Sequence, residues 1–431
     1  MATDVEITND AWHSQRINTR HQVVTGNGTA YLFYPYHGPN PTPAWSKTTD
    51  GGSTWSAQVV VPGGVTGNIM DVYYARWSDS SLPNEVLVAW GKKDAVYFAV
   101  FNLTSETWTT SATVAVAMNA TTDALVCSVS ACISRSGDYW VTGHGLGNTT
   151  SVTARSTNLG SSWSNNAAAG RFPEGWRDEI MMWPDFSSAD DDDILAIFCD
   201  NSAAQYSVKQ LDVSAVSITE TAIASAKPIG DGGTNPVPWS ATLNSSGVVY
   251  LALMDTWNTA LSTTTTINTY TINGATVTAK TAVIADDYTE APYLSIDANG
   301  IVRCFYARDP EGTFRESQNL YYKTSSDNMA TWGSETQISN LNSASRYWII
   351  TGIGDPLPKG MVLPIWFDYL DTIMTIDTPI EITTALTANI ATTFTLTGTL
   401  SGATSASPPI VIKCKPIAVE QVINFSVGAL R

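Results

Sequence analysis

The sequence predicts an all-β chain: a β-propeller, with seven blades favoured and six the alternative, followed by a small C-terminal β-domain or tail. Three observations predict it. Only 14% of the 431 residues are charged, against about a quarter in ordinary soluble domains. Thr, Ser, Asn, Gly, Trp and Tyr, the residues of strands and tight turns, are abundant instead. A turn pattern recurs with a period near 55 residues, and beyond Pro379 the charge nearly vanishes, with Glu381, Lys413, Lys415, Glu420 and Arg431 alone in residues 380–431.

The turn pattern is Ser/Thr-x-Asp-x-Gly-x-Ser/Thr-Trp/Phe. Thr48-Thr-Asp50-Gly-Gly52-Ser-Thr54-Trp55 fits it at each position. Ser156-Thr-Asn158-Leu-Gly160-Ser-Ser162-Trp163 replaces Asp by Asn, and Ser325-Ser-Asp327-Asn-Met329-Ala-Thr331-Trp332 lacks the glycine. Trp55 to Trp108 is 53 residues, Trp108 to Trp163 is 55, and Trp163 to Trp332 is 169, about three further periods. Such a turn uses an acidic or amide side chain to accept loop N–H groups, a glycine where φ is positive, and a Trp ring to pack between hairpins. Asp50 is therefore a staple and not a catalytic carboxylate.

A 55-residue unit accommodates four strands with their turns. Seven candidate innermost strands begin near Thr19, Met70, Ala124, Glu179, Val237, Ala291 and Arg346. The last unit, Arg346 to about Thr378, has room for three strands, so Asp4-Val-Glu-Ile-Thr8 is expected to supply its fourth and pair both edges of the ring. The propeller is assigned to residues 1–378. Residues 379–431 form the low-charge tail, whose alternating runs 392–398, 410–414 and 422–427 read as strands suited to oligomerisation or anchoring.

Composition excludes some partners. A formal net charge of −17 argues against nucleic acid, whose binding draws on clustered Lys and Arg, and against an anionic membrane surface. The five cysteines sit mostly in apolar runs without metal-ligand spacing and read as buried small side chains; no cofactor is expected. Asp190-Asp-Asp-Asp193 is a weak calcium candidate, with a solvated turn the alternative. The opening Met1-Ala-Thr-Asp-Val-Glu-Ile has neither a basic nor an apolar signal segment, so no export signal and no membrane insertion are expected.

The three boxes make residues 1–378 resemble the sialidase-type (BNR/Asp-box) β-propeller superfamily, which holds sialidases, polysaccharide-degrading enzymes, carbohydrate-binding propellers and structural ones. A sialidase resemblance implies three arginines clamping a carboxylate, a Tyr nucleophile backed by Glu, and an Asp acid/base. Arg16-Ile17-Asn18 echoes the family's early Arg-Ile-Pro motif without its proline, and Arg20 is the alternative. Asp71 is the acid/base candidate. Arg177, Asp178 and Glu179, then Glu290 and Tyr293, then Arg346 and Tyr347 complete the set at the starts of inner strands; their other reading is inter-blade salt bridges and core. A lyase-like site would draw on His144 and Tyr139.

Aromatics on apparent loops (Trp12 with His13, Tyr34 to His37, Trp45, Trp176, Trp183 and Trp257) suit sugar stacking or inter-blade packing. The segment from Tyr36 to Ala44, with three prolines, reads as a projecting loop. Two functions follow. The first is a non-enzymatic virion or extracellular surface protein, of a phage, that presents loops to glycans or subunits and assembles as a homo-oligomer or with other virion subunits through its tail. The second is a sialidase-like or lyase-like glycan-degrading enzyme.

Overall fold

The computed structural model describes residues 4–8, 20–26, 28–36, 41–67, 69–74, 84–92, 95–117, 126–145, 152–165, 180–200, 205–211, 220–223, 239–254, 265–286, 289–297, 299–308, 319–339, 349–350, 352–353, 361–367, 373–376, 380–381, 410–414 and 421–425. All their regular elements are strands. Contacts divide the chain into two units, Met1–Thr384 and Ala385–Arg431.

Seven sheets of four or five strands follow one another in the first unit. Their innermost strands are Arg20–Gly26, Ile69–Tyr74, Val126–Ile133, Ile180–Pro184, Trp239–Leu243, Thr289–Ile296 and Ile349–Ile350. Each lies at or within a few residues of an expected inner strand. In the seventh sheet the order is Ile349–Ile350, Ile365–Phe367, Ile373–Ile376 and Asp4–Thr8. The N-terminal strand thus pairs with Ile373–Ile376, Asp4 opposite Ile376, as the room left in the last unit requires. A parallel pairing of Gly352–Ile353 with Arg20 and Gln22 ties the seventh unit to the first sheet.

The core lies between sheets. Second strands are buried on both faces, as in Thr29–Tyr36 and Glu85–Lys92, which is why they read as unbroken apolar runs. The third strand of the fifth sheet, Thr265–Asn273, alternates between buried and half-buried residues over most of its length. Apolar clusters fill successive wedges: Val23, Met70 and Val72 join sheets one and two, and Tyr250, Leu294 and Cys304 join five and six. Val24, Tyr293, Phe305 and Ile365 join sheets one, six and seven, which closes the ring.

Two kinds of turn recur. At the boxes, Asp50 Oδ1 accepts from Thr54 N at 2.9 Å and from Thr48 Oγ1 at 2.8 Å, while Thr48 Oγ1 accepts from Gly52 N at 2.9 Å. Asn158 and Asp327 repeat this, accepting from Ser162 N at 2.8 Å and Thr331 N at 2.9 Å. Met329 takes the place of the glycine with φ 61°, its side chain fully buried. The box Trp reaches the preceding sheet: Trp163 meets Phe98 edge-on at 4.8 Å, and Trp332 Nε1 donates to Thr281 O at 2.9 Å. The second turn, between first and second strands, carries Gly28, Gly137, Gly247 and Gly300 at φ 77° to 90°. Each stands three residues after Thr25, Ser134, Asn244 or Asp297.

Several readings are corrected. Tyr34, Trp45 and Trp183 are buried strand residues and not loop aromatics. In the segment from Tyr36 to Ala44, Tyr36 and Thr42 to Ala44 are paired strand residues, and 37–40 lie outside the described residues. Trp12, His13, Trp176 and Trp257 lie outside the described residues. Cys132 and Cys304 are free and buried, and burial raises both thiol pKa values. In the second unit, Ile410–Cys414 pairs antiparallel with Gln421–Phe425, and 392–398 lies outside the described residues.

Candidate functional site at the ring axis

The innermost strand of a closed ring has an inward edge with no neighbouring strand, so its N–H groups need other acceptors. Side chains of adjacent inner strands supply them. Asp71 Oδ1 accepts from Arg20 N at 2.8 Å and Asp71 Oδ2 from Ala131 N at 2.8 Å. Ser128 Oγ accepts from Ile180 N, Ser130 Oγ from Met182 N and Ser240 Oγ from Leu294 N, each at 3.0 Å. A short polar side chain at these positions reaches the backbone amide of the adjacent inner strand.

Arg20 crosses this network. Its Nε donates to Asp71 Oδ1 at 3.0 Å, Nη1 to Met182 O at 3.0 Å, and Nη2 to Asp71 Oδ2, to Ser130 Oγ at 3.3 Å and to Ala131 O. The guanidinium carbon lies 4.8 Å from the ring centre of Tyr73 and 5.6 Å from that of Trp183. One side chain thereby touches inner strands of the first four sheets. Arg20 is 3% exposed and Asp71 1%. Burial works against the cation, but the charge and hydrogen bonds of Asp71 outweigh it and raise the guanidinium pKa above its usual value.

Of the expected catalytic residues, the structure therefore brings Arg20 and Asp71 together, as each other's partners. Arg177, Glu179, Arg346 and Tyr347, with Asp178 and Arg16, lie outside the described residues, as does the Glu290 side chain. Tyr293 is buried and stacks on Phe305 at 5.7 Å. His144 and Tyr139 are buried near opposite ends of the strand Tyr139–Gly145, roughly 16 Å apart at about 3.3 Å per residue. They do not form one site. The Tyr139 hydroxyl donates to Glu85 Oε2 at 2.7 Å, and burial together with that bond raises its pKa.

The acidic turn is occupied by arginines of the third sheet. Arg135 pairs with Asp191 at 3.0 Å and donates to the carbonyls of Ser188 and Asp190, while Arg155 bridges Asp138 and Asp192. Ser188 Oγ donates to Asp193 Oδ2 at 2.5 Å. Among the described residues no group of three or more His, Cys, Asp or Glu side chains is placed to hold a metal ion. The Asp190 to Asp193 turn is an inter-sheet clasp.

No family model and no curated protein matches the chain. Among solved structures, a polysaccharide lyase, PL25 ulvanlyase, aligns with a TM-score of 0.54 and 12% identity over 87% of this chain and 95% of its own. The lyase bound to -[GlcA(1-4)Rha3S]- aligns over the same shares at 0.52 and 11%. A Hadza microbial sialidase covers 79% of this chain and 74% of its own, at 0.40 and 13%. What is shared with the lyase is the arrangement of sheets. The chain is a β-propeller. In this propeller side-chain hydrogen bonds join the described inner strands to their neighbours, and the inner-strand serines, whose role the sequence reading missed, make three of them. Their signal was a hydroxyl recurring at equivalent inner-strand positions, Ser130 and Ser240.

Proposed function

We propose that the chain is a non-enzymatic surface propeller, of a virion or another extracellular assembly, that presents its loops to glycans or neighbouring subunits. One observation carries the reading: Arg20 and Asp71, the described candidates for carboxylate clamp and acid/base, are spent on each other and on backbone groups. A clamp must leave its N–H fork open to the ligand, and an acid/base must reach the scissile bond. The shared fold with a lyase bound to -[GlcA(1-4)Rha3S]- supports glycan as the partner class. The low-charge tail supports assembly, as homo-oligomer or with virion subunits.

A glycan-degrading reading rests on the same fold likeness, with chemistry drawn from Arg177, Glu179, Glu290, Arg346 and Tyr347. Incubation with a fluorogenic sialoside and with a uronate-containing polysaccharide separates the two. The surface-protein reading expects polysaccharide retention on immobilised protein without fluorophore release or ultraviolet absorbance from an unsaturated product. Turnover abolished by Arg346→Ala or Tyr347→Phe, with Arg20 and Asp71 intact, would establish the enzyme instead.

A further inference from the structure

The hydrogen bonds between inner strands are unevenly distributed. Asp71, Ser128 and Ser130 cap inner strands of the first, third and fourth sheets, and Ser240 caps the sixth. Gln22, on the innermost strand of the first sheet, is fully buried, yet its Oε1 and Nε2 have no hydrogen-bond partner among the described residues. Ser295 Oγ, on the innermost strand of the sixth sheet and 1% exposed, is in the same condition.

Both groups border the seventh sheet. Gln22 lies beside Ile353 in the parallel ladder. Val24, two residues on and so on the same strand face, packs in one cluster with Tyr293 and with Ile365 of the seventh sheet. Ser295 follows Tyr293 by two residues with no register shift between them. Gln22 and Ser295 therefore flank the seventh sheet's place in the ring from opposite sides. An amide side chain offers two donors and an acceptor with two lone pairs, and leaving such groups unbonded in the interior is destabilising. A polar wedge of this kind is the setting in which buried water is found.

We infer that the wedge between the first and seventh sheets holds ordered water, with the buried, unpartnered Gln22 amide as its principal protein ligand. A crystal structure at a resolution that shows solvent tests this directly. Expected is compact density within hydrogen-bond reach of Gln22 Nε2 or Oε1. Density continuous with a protein side chain or with a carbohydrate on those atoms, or no density, would overturn it. In parallel, Gln22→Leu and the closer shape match Gln22→Met should both lower the denaturant midpoint, since each strands the water's hydrogen bonds. A midpoint unchanged or raised in both would mean that the amide had no such partner and would count against the inference.

Discussion

Arg20 and Asp71 stand 51 positions apart in sequence and meet as a bidentate ion pair at the seam between the first two sheets, with less than a twentieth of either side chain exposed. The spacing is close to one repeat, so the pair occupies neighbouring inner strands. Removing one member leaves the other charged in the interior, which costs about 3–5 kcal/mol, whereas replacing both by apolar groups is often near neutral. Asp71→Ala should therefore lower unfolding free energy by roughly that amount. Arg20→Met with Asp71→Leu removes the stranded charge but leaves the Arg20 and Ala131 amides without their acceptor, so it should recover only part of the loss. Chemical denaturation of the two single variants and the double provides the cycle.

The box turns make a pH prediction with an internal control. Hydrogen bonds from Thr331, with a further one from Ser325, hold the Asp327 carboxyl down at about 2, and those from Thr54 and Thr48 lower Asp50. A carboxyl depressed on folding contributes stability that is complete above the unfolded range near 4 and is lost as pH falls through the folded value. Acid unfolding should accordingly steepen between about pH 4 and 2. Asn158 makes the same backbone bond without a titrating group, so Asp327→Asn should fold and lose that part of the slope. A slope unchanged in the variant would place the acid sensitivity elsewhere.

Much of the fold was legible because it repeats. Asp, Gly and Trp at fixed offsets are demanded by turn geometry, and period arithmetic then placed all seven inner strands. A second ruler was also present: Gly28 to Gly137 is 109 residues, Gly137 to Gly247 is 110 and Gly247 to Gly300 is 53, each preceded at three residues by Thr, Ser, Asn or Asp. The site was less legible. Arg20 and Asp71 were recognisable as axial, but whether an axial charge meets ligand or protein depends on partners several blades away. Met182 O, which Arg20 reaches, is 162 residues distant. Burial of Trp45 was equally hidden, because a Trp followed by Ser46 and Lys47 reads alike on a loop and on a strand edge.

His21 adds a transition nearer neutrality. Its Nδ1 lies 2.9 Å from Phe33 O, and burial lowers its pKa despite that bond. The unfolded chain then binds the proton first, so stability is complete above about pH 6.5 and declines as pH falls from there toward the folded value. His21→Gln should flatten the decline of the denaturant midpoint between pH 6.5 and 5. An equal decline in wild type and variant would assign it to another group.

Two backbone positions with positive φ should respond in opposite directions to substitution. Leu159 adopts φ 56° in the second box and is 49% exposed. A left-handed conformation costs a non-glycine residue about 1–2 kcal/mol, partly offset by the larger chain entropy that glycine loses on folding, about 0.5–1 kcal/mol. Leu159→Gly should be neutral to stabilising, by up to about 1 kcal/mol, and should raise the melting temperature slightly. Gly247 has φ 79°, and a Cβ there would fall 2.0 Å from the Phe186 Cβ in the preceding sheet. That backbone cannot retreat without separating two blades, so Gly247→Ala combines conformational strain with overpacking and should cost about 2 kcal/mol or more. Thermal denaturation of both variants under one condition checks the pair. A stabilised Gly247→Ala would mean that the turn does not pack against Phe186 as described.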